Sequence, residues 1–397
     1  MGRHRTLRTR VRRGIARWPI VVTGLVAVLL LGWFGWTWLG GQLDRRASAE
    51  AGTCAEGQAT LRIAVTPSAA DAIRDVAQEW SGQRPIVYDH CIRVEVQPID
   101  ARTALDALTQ GWDEGRLGSR PQAWLPDSTL WTNQLAQRSP AAVGSSARSV
   151  ATSPVLLAVS EQAAGALRTA TPPRWAELPA LSSAPDGWAR YGQPGWGALR
   201  VALPAPPANP ASALAVQAVL ADANGGQLGP DTVAGQQAGT AISQLASGAA
   251  GSPGTVTEAL GAVAGNQLPG TGFSAVPALE VDLYRHNTGK DGAGAGAPLT
   301  GLALGGATPV ADFPYLPLSA QWANEAQARA AQKFREFLDE PAARRILAAA
   351  GLRVSGDAAH PTAPGLDWPA QDQPLPPVDA ATAEQITGAW AGATQGG

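Results

Sequence analysis

The chain is poor in the side chains that most often do chemistry: of 397 residues, four are histidine, two cysteine and one methionine. His4, His90, His286 and His360 are dispersed, and no two stand at the spacing of a zinc-binding pair, so no metal site is expected. The sequence has no GxSxG nucleophile elbow, no Walker A loop and no glycine-rich dinucleotide fingerprint after its first strand. Its acids are scattered, so a catalytic carboxylate pair would have to be assembled by folding. Neither an enzyme nor a resident cofactor is expected. "LPGTG" (268–272) matches a sortase pentapeptide but lacks the apolar span and basic tail that this signal needs, and is set aside as a coincidence.

Lysine is also scarce. Only Lys290 and Lys333 accompany the arginines among the 30 basic residues, and 45 glycines and 32 prolines punctuate an alanine-rich chain, the composition of a GC-rich bacterial genome. The first 17 residues hold seven arginines and no acid, which leaves 23 basic against 32 acidic residues in the remainder. An acidic body argues against a nucleic-acid partner.

One long apolar run is present. Residues 18–40, "WPIVVTGLVAVLLLGWFGWTWLG", carry no charge and are long enough to cross a hydrocarbon core of roughly 30 Å as a helix. The arginines of 1–17 are expected to hold the N-terminus in the cytoplasm, with Trp33, Trp36 and Trp38 in the outer interface. A cleaved signal peptide, with "ASA" at 47–49, fits less well, because "DRR" intervenes and the run is longer than a signal core. A lipoprotein reading of Cys54 is weaker still. The body is thus placed outside a cell membrane on a single-pass anchor, with 41–53 as linker. In that oxidising compartment Cys54 and Cys91 read as one disulfide, the alternative being two buried free thiols.

Periodicity predicts strands at "LRIAV" (61–65), "CIRVEV" (91–96) and "QAWL" (122–125), each followed by a helical segment. Such alternation implies a mostly parallel sheet covered by helices. Ser68 is a candidate cap for the first helix, Asp127 or Ser128 for the helix after "QAWLP". These starts lie at strand carboxyl ends, where open α/β sheets bind ligands. A second block begins at "SPVLLAVS" (153–160). It contains expected strands "LRVAL" (199–203) and "LEVDLY" (279–284), and a helix from "PASALAVQAVLADA" that Asn209 or Ser212 can cap. Short helices are expected over 224–272 and a flexible loop over 288–307. The clearest helical region is 320–353, with Gly351 as its stop. Beyond 356 lies a Pro- and Ala-rich tail with one short helix around "ATAEQITGAWAG".

The segments "IAVTPSAADAIRDVAQEW", "CIRVEV", "AWLPDSTLW", "SVATSPVLLAVS" and "FPYLPLSAQWANEAQARAAQKFREFLDEPAARRILAAAGLR", with the two cysteines, resemble type II extracellular solute-binding proteins. More narrowly they resemble the binding domain that precedes a von Willebrand A domain in membrane proteins of high-GC Gram-positive bacteria. The resemblance implies an α/β, two-lobed fold of the periplasmic-binding-protein type over 54–355. Lobe 1 would comprise about 54–152 and 308–355, lobe 2 about 153–307, with crossings at "ATSPVLLA" and "DFPYLPL". It implies that residues near Ser68, Asp127, Ser128, Ser153, Asn209 and Ser212 hold a small ligand, an oxyanion being one candidate. An import permease or a separate A-domain protein is the implied partner. The A domain is absent here and no Asp-x-Ser-x-Ser motif occurs, so no adhesive role is carried over. The rival reading is an envelope scaffold or sensor that kept the fold without a solute.

Overall fold

In the computed structural model the described residues are Trp33 and 54–395, apart from 170, 207, 267, 268, 294, 295, 320, 357, 371 and 372. The expected basic segment, membrane segment and linker (1–53) lie outside the described residues, Trp33 excepted. Among the described residues no helix is long and apolar enough to cross a membrane. Cys54 and Cys91 are both disulfide-bonded and neither is free.

The described chain falls into two compact units. The small one comprises Cys54–Gly57 with Tyr88–His90, where Gly57 N donates to Cys54 O (2.8 Å) and Glu56 N to Asp89 O (3.1 Å). The large one holds Gln58–Val87 and everything from Cys91 onward.

The chain order begins β1 (Gln58–Val65), α1 (Pro67–Gly82), β2 (Ile86–Val87), β3 (His90–Pro98), α2 (Ala101–Gln110), α3 (Glu114–Leu117), β4 (Ala123–Leu125), α4 (Thr129–Arg138) and β5 (Arg148–Ser149). It continues with β6 (Ser153–Val159), α5 (Glu161–Thr169), α6 (Leu178–Ser183), α7 (Pro210–Ala223), α8 (Pro230–Ala234), α9 (Gln236–Gly248), α10 (Val256–Gly265), β7 (Ala275–Leu279) and α11 (Glu280–Asn287). It closes with β8 (Thr300–Leu302), β9 (Val310–Ala311), β10 (Pro314–Pro317), α12 (Glu325–Leu338), α13 (Pro341–Ala349) and α14 (Ala380–Gln395).

Two sheets result. The first has the order β2-β3-β1-β4-β10-β5. Its β3, β1 and β4 are parallel, as the strand and helix alternation predicts, whereas β10 returns antiparallel to β4 and β5. Successive side chains on a strand point to opposite faces. Leu61, Ile63, Val65, Ala123 and Leu125 therefore join one apolar cluster with Ile73 and Trp80 of α1 and Phe334 of α12, while Ala64 and Trp124 join another with Leu105, Leu135 and Leu316. Trp80 meets Phe334 edge-on at 5.3 Å.

The second sheet is antiparallel: β6 lies between β7 and β8, and β9 also pairs with β6. Every residue of β6 is buried, consistent with helices covering both faces. Two sequence expectations fail here. "LRVAL" forms only an isolated bridge between Val201 and Ala275, and "LEVDLY" is the end of β7 followed by the helix α11. Alternation at 279–284 mimics a strand, but distant groups satisfy the helix start: Ser153 Oγ on β6 accepts from Val281 N at 3.1 Å, and Arg353 pairs with Glu280.

The proline-rich tail is packed. Ala363 and Leu366 are buried against Leu156 and Leu283 at the second sheet, and His360 stacks on Trp368 at 4.6 Å.

Candidate functional site

The turn from β4 into α4 answers why two tryptophans frame "PDST". Trp124 is fully buried on the face of β4 opposite Leu125, and is core. Trp131, one turn into α4, packs in the same cluster and turns its indole N–H onto Asp127 Oδ1 at 2.9 Å. Ser128 caps the helix, its hydroxyl accepting from Leu130 N at 3.2 Å. A second carboxylate completes the start: Asp312, between β9 and β10, accepts from Thr129 N at 2.8 Å and from the Thr129 hydroxyl. Asp312 N in turn donates to Asp127 O at 3.1 Å.

Asp127 is buried, and its other oxygen accepts from Thr66 Oγ1 at 3.4 Å across the sheet. Burial pushes its pKa up to about 6, and the charge of Asp312 adds to the rise, against the lowering bonds from Trp131 and Thr66. Each carboxylate oxygen of Asp127 and Asp312 keeps acceptor capacity beyond these bonds.

Opposed to this turn stands α7. Asn209 is its cap, accepting from Ser212 N at 3.0 Å. Asp127, Ser128, Thr129, Leu130 and Trp131 share a cavity of about 450 Å³ with Ala208, Pro210, Ala213, Leu214 and Gln217, with Thr152, Val310 and Asp312, and with Pro374–Val378. The walls are mostly apolar; two carboxylates line them and, among the described residues, no lysine, arginine or histidine does. Arg102 stays behind Trp131, its guanidinium 5.7 Å from the ring. Among the described residues no group of three or more histidine, cysteine or acidic side chains could hold a metal ion.

The structure brings only some of the expected site residues together. Asp127 and Ser128 line the cavity. Asn209 caps the helix that forms its far wall, and Ser212, fully buried, lies behind that wall with no partner for its hydroxyl among the described residues. Ser68 and Ser153 are elsewhere. Ser68 is not a cap, since Thr66 holds that position, and its hydroxyl donates to Asp282 Oδ2 at 2.9 Å. Ser153 caps α11 from the neighbouring strand. Both serines thus belong to a polar knot at the start of α11, where Arg353 also grips Glu280 through two bonds of 2.5 and 2.6 Å. Burial raises the pKa of Asp282 to about 6, against the Ser68 bond and the Arg285 charge. Among the described residues none of 288–307 lines the cavity, whereas Pro374–Val378 does.

Sequence reasoning missed Asp312, Gln217 and Pro374–Val378. Asp312 opens "DFPYLPL", a segment recognisable as a crossing, but its bond to a residue 183 positions away has no local signal.

The family model described as "Bacterial extracellular solute-binding protein" matches residues 61–353. The uncharacterized protein Rv1836c of Mycobacterium tuberculosis strain H37Rv is 30% identical over 364 residues, which cover 90% of this chain and 52% of the relative. Its counterpart in strain CDC 1551 matches equally. The chain thus spans about half the length of the curated relatives it matches. Among solved structures, the ferric binding protein from Campylobacter jejuni is similar with a TM-score of 0.57 and 12% identity, over 85% of this chain and 98% of that one. A periplasmic thiamin binding protein gives 0.57 at 14% identity (85% and 96%). The periplasmic binding protein AfuA from Actinobacillus pleuropneumoniae, with fructose-6-phosphate bound, gives 0.55 at 10% identity (86% and 99%). At these identities the likeness is one of fold, a mixed α/β fold of the periplasmic-binding-protein type.

Proposed function

The chain belongs to the bacterial extracellular solute-binding proteins, and from that premise we propose that it captures a small, positively charged or N–H-rich solute with an apolar body in the crevice between its two sheets. One observation carries the ligand class: Asp127 and Asp312 are the charged groups in a mostly apolar lining whose other polar residues, Ser128, Thr129, Thr152 and Gln217, are neutral, and among the described residues no basic side chain joins them. An oxyanion would meet two carboxylates there, and in a partly desolvated crevice like charges repel strongly. The helix N-terminus at Ser128 offers an anion less than the sequence suggests, because Ser128 and Asp312 already accept from its first amides.

The same reading makes the two sheets the cores of two lobes, about 54–152 with 308–355 and about 153–307, that close on the solute by hinge motion, with β9 of the second sheet lying in the crossing between them. It keeps residues 18–40 as a membrane anchor with the body outside, and an import permease or a separate A-domain protein as partner; the arginine asymmetry of the first 17 residues supports it. The rival scaffold reading is favoured by one observation, the segment Pro374–Val378 in the crevice wall.

Thermal-shift screening of residues 52–397 against polyamines, cationic heterocycles, amino sugars, neutral sugars and oxyanions tests the proposal. A cationic hit at a hundredfold excess over its Kd adds about 2.7 kcal/mol and raises the melting point by a few degrees. Shifts from oxyanions alone would overturn the charge assignment. Silence across the panel would favour the scaffold.

A further inference from the structure

Residues 373–395 cross the crevice as a strap with an anchor at each end. At the first, Thr308 N donates to Gln373 O and Leu375 N to Thr308 O, both at 2.7 Å, so Pro374 bridges to the chain just before β9. The next stretch, "PLPPV", lines the crevice. Its sequence suits the place: three of the five residues are prolines without an N–H to satisfy, and the Leu375 N–H is already bonded. Proline also stiffens an extended segment and lowers the entropy lost on ordering it.

The second anchor is α14. Asp379 starts it by accepting from Thr382 N at 2.8 Å, and Thr382, Ile386 and Trp390 are buried. The helix packs against α8 and α9 beside the second sheet and against α4 beside the first. Glu384 pairs with Arg138 of α4 at 2.5 Å. Between α4, α7 and α14 only a gap of about 50 Å³ remains, bordered by Trp131, Gln217, Ile386 and Trp390. Its contact with α4 is much slighter than its contact with α8 and α9, and elements held by few buried side chains open locally before the whole fold does.

We propose that Pro374–Val378 is a removable wall of the solute site and α14 the latch that holds it, so that solute enters and leaves when α14 lifts from α4. This rests on the crevice being the solute site, but access to the crevice can be read without any solute. Leu214 is partly exposed in the crevice wall, and because both native cysteines are disulfide-bonded, Leu214→Cys supplies a single free thiol.

The experiment follows the rate at which a bulky maleimide labels that thiol in the full chain. Trp390→Ala, and a chain ending at residue 372, should each label about tenfold faster or more. Synthetic peptide 373–395 added to the shortened chain should slow it again. Arg138→Glu should speed labelling and the swap Arg138→Glu with Glu384→Arg should restore it, which separates latch release from general loosening. Ala158→Cys, buried in β6, is the control and should stay unreactive in every background. Equal rates with and without the strap, or parallel acceleration at position 158, would overturn the latch. Neither result touches the solute screen, and failure of every solute would leave the labelling result standing.

Discussion

Ser68 on α1 donates its hydroxyl to Asp282 on α11 at 2.9 Å, and both side chains are buried. The bond ties the first helix of one sheet to the helix that leaves the other. Beside it Arg285 pairs with Asp71, nearer the surface. Ser68→Ala removes the donor and leaves a buried carboxylate short of a partner, which costs about 1–3 kcal/mol. Adding Asp282→Leu to Ser68→Ala should recover part of the loss, since neither polar group then remains. Urea denaturation of the four chains of the double-mutant cycle reads the coupling, and strict additivity would show that the bond contributes nothing.

The pH dependence of stability carries a definite sign. Asp127 and Asp282 both have folded pKa values raised to about 6 from an ordinary 3.8, chiefly by burial. The folded chain therefore holds protons that the unfolded chain releases between about pH 4 and 6. The stabilisation is full below about pH 4 and is lost as pH rises through 6, to the extent of roughly 3 kcal/mol per group. Asp312 faces Asp127 and increases the effect; Arg285 faces Asp282 and reduces it. Asp127→Asn keeps an acceptor for the Trp131 N–H and abolishes the titration. Relative to the parent, it should gain stability between pH 4.5 and 7.5. A parent-minus-variant difference that is flat across this range would refute the assignment.

At the start of α4 two side chains divide the capping. Ser128→Ala should cost about 0.5–2 kcal/mol, toward the lower end because Asp312 still holds Thr129 N. Asp312→Ala should cost more, since it frees both the amide and the hydroxyl of Thr129. Ser128→Asp can still cap but adds charge beside Asp127 and Asp312. It should weaken an anion and strengthen or spare a cation, which calorimetry with any hit from the solute screen would decide. Affinity unchanged within twofold in all three variants would mark the turn as an ordinary capped helix start.

These residues also show what local sequence could reveal. The strands of the parallel core follow from patterns within a few residues, and of the paired cap candidates the structure selects Ser128 over Asp127 and Asn209 over Ser212. Ser68 reads as a cap in the same way, and Ser153 is a site candidate only through the family resemblance, yet the hydroxyls of both are claimed by α11, 214 and 128 positions away. The helix at 280–287 was illegible for the same reason, because groups on β6 and beyond α13 satisfy its start. In the strap, the helix was legible around "ATAEQITGAWAG", whereas the place of Pro374–Val378 in the crevice wall was not, because that proline-rich stretch gains its order from packing across the crevice.

Arg353 and Glu280 provide the sharpest test of that long-range support. Glu280 is fully buried, and Arg353 meets both of its oxygens from just after α13. Gly351 lets the chain approach: its φ is +89°, and a Cβ there would lie 2.5 Å from Tyr284 Cδ1. Burial raises the pKa of Glu280, while the guanidinium opposes the rise. Arg353→Met leaves the carboxylate buried without its counter-charge, and breaking such a pair costs about 3–5 kcal/mol. Removing the charge as well, in Arg353→Met with Glu280→Gln, should restore much of the loss, since the cost lies in the stranded ion. The Arg353→Met deficit should also shrink on acidification, because Glu280, freed from the arginine, takes up a proton at higher pH than before. Denaturation of the two variants at pH 5 and pH 8 decides: an equal deficit at both, unrelieved by Glu280→Gln, would mean that Arg353 acts by packing alone.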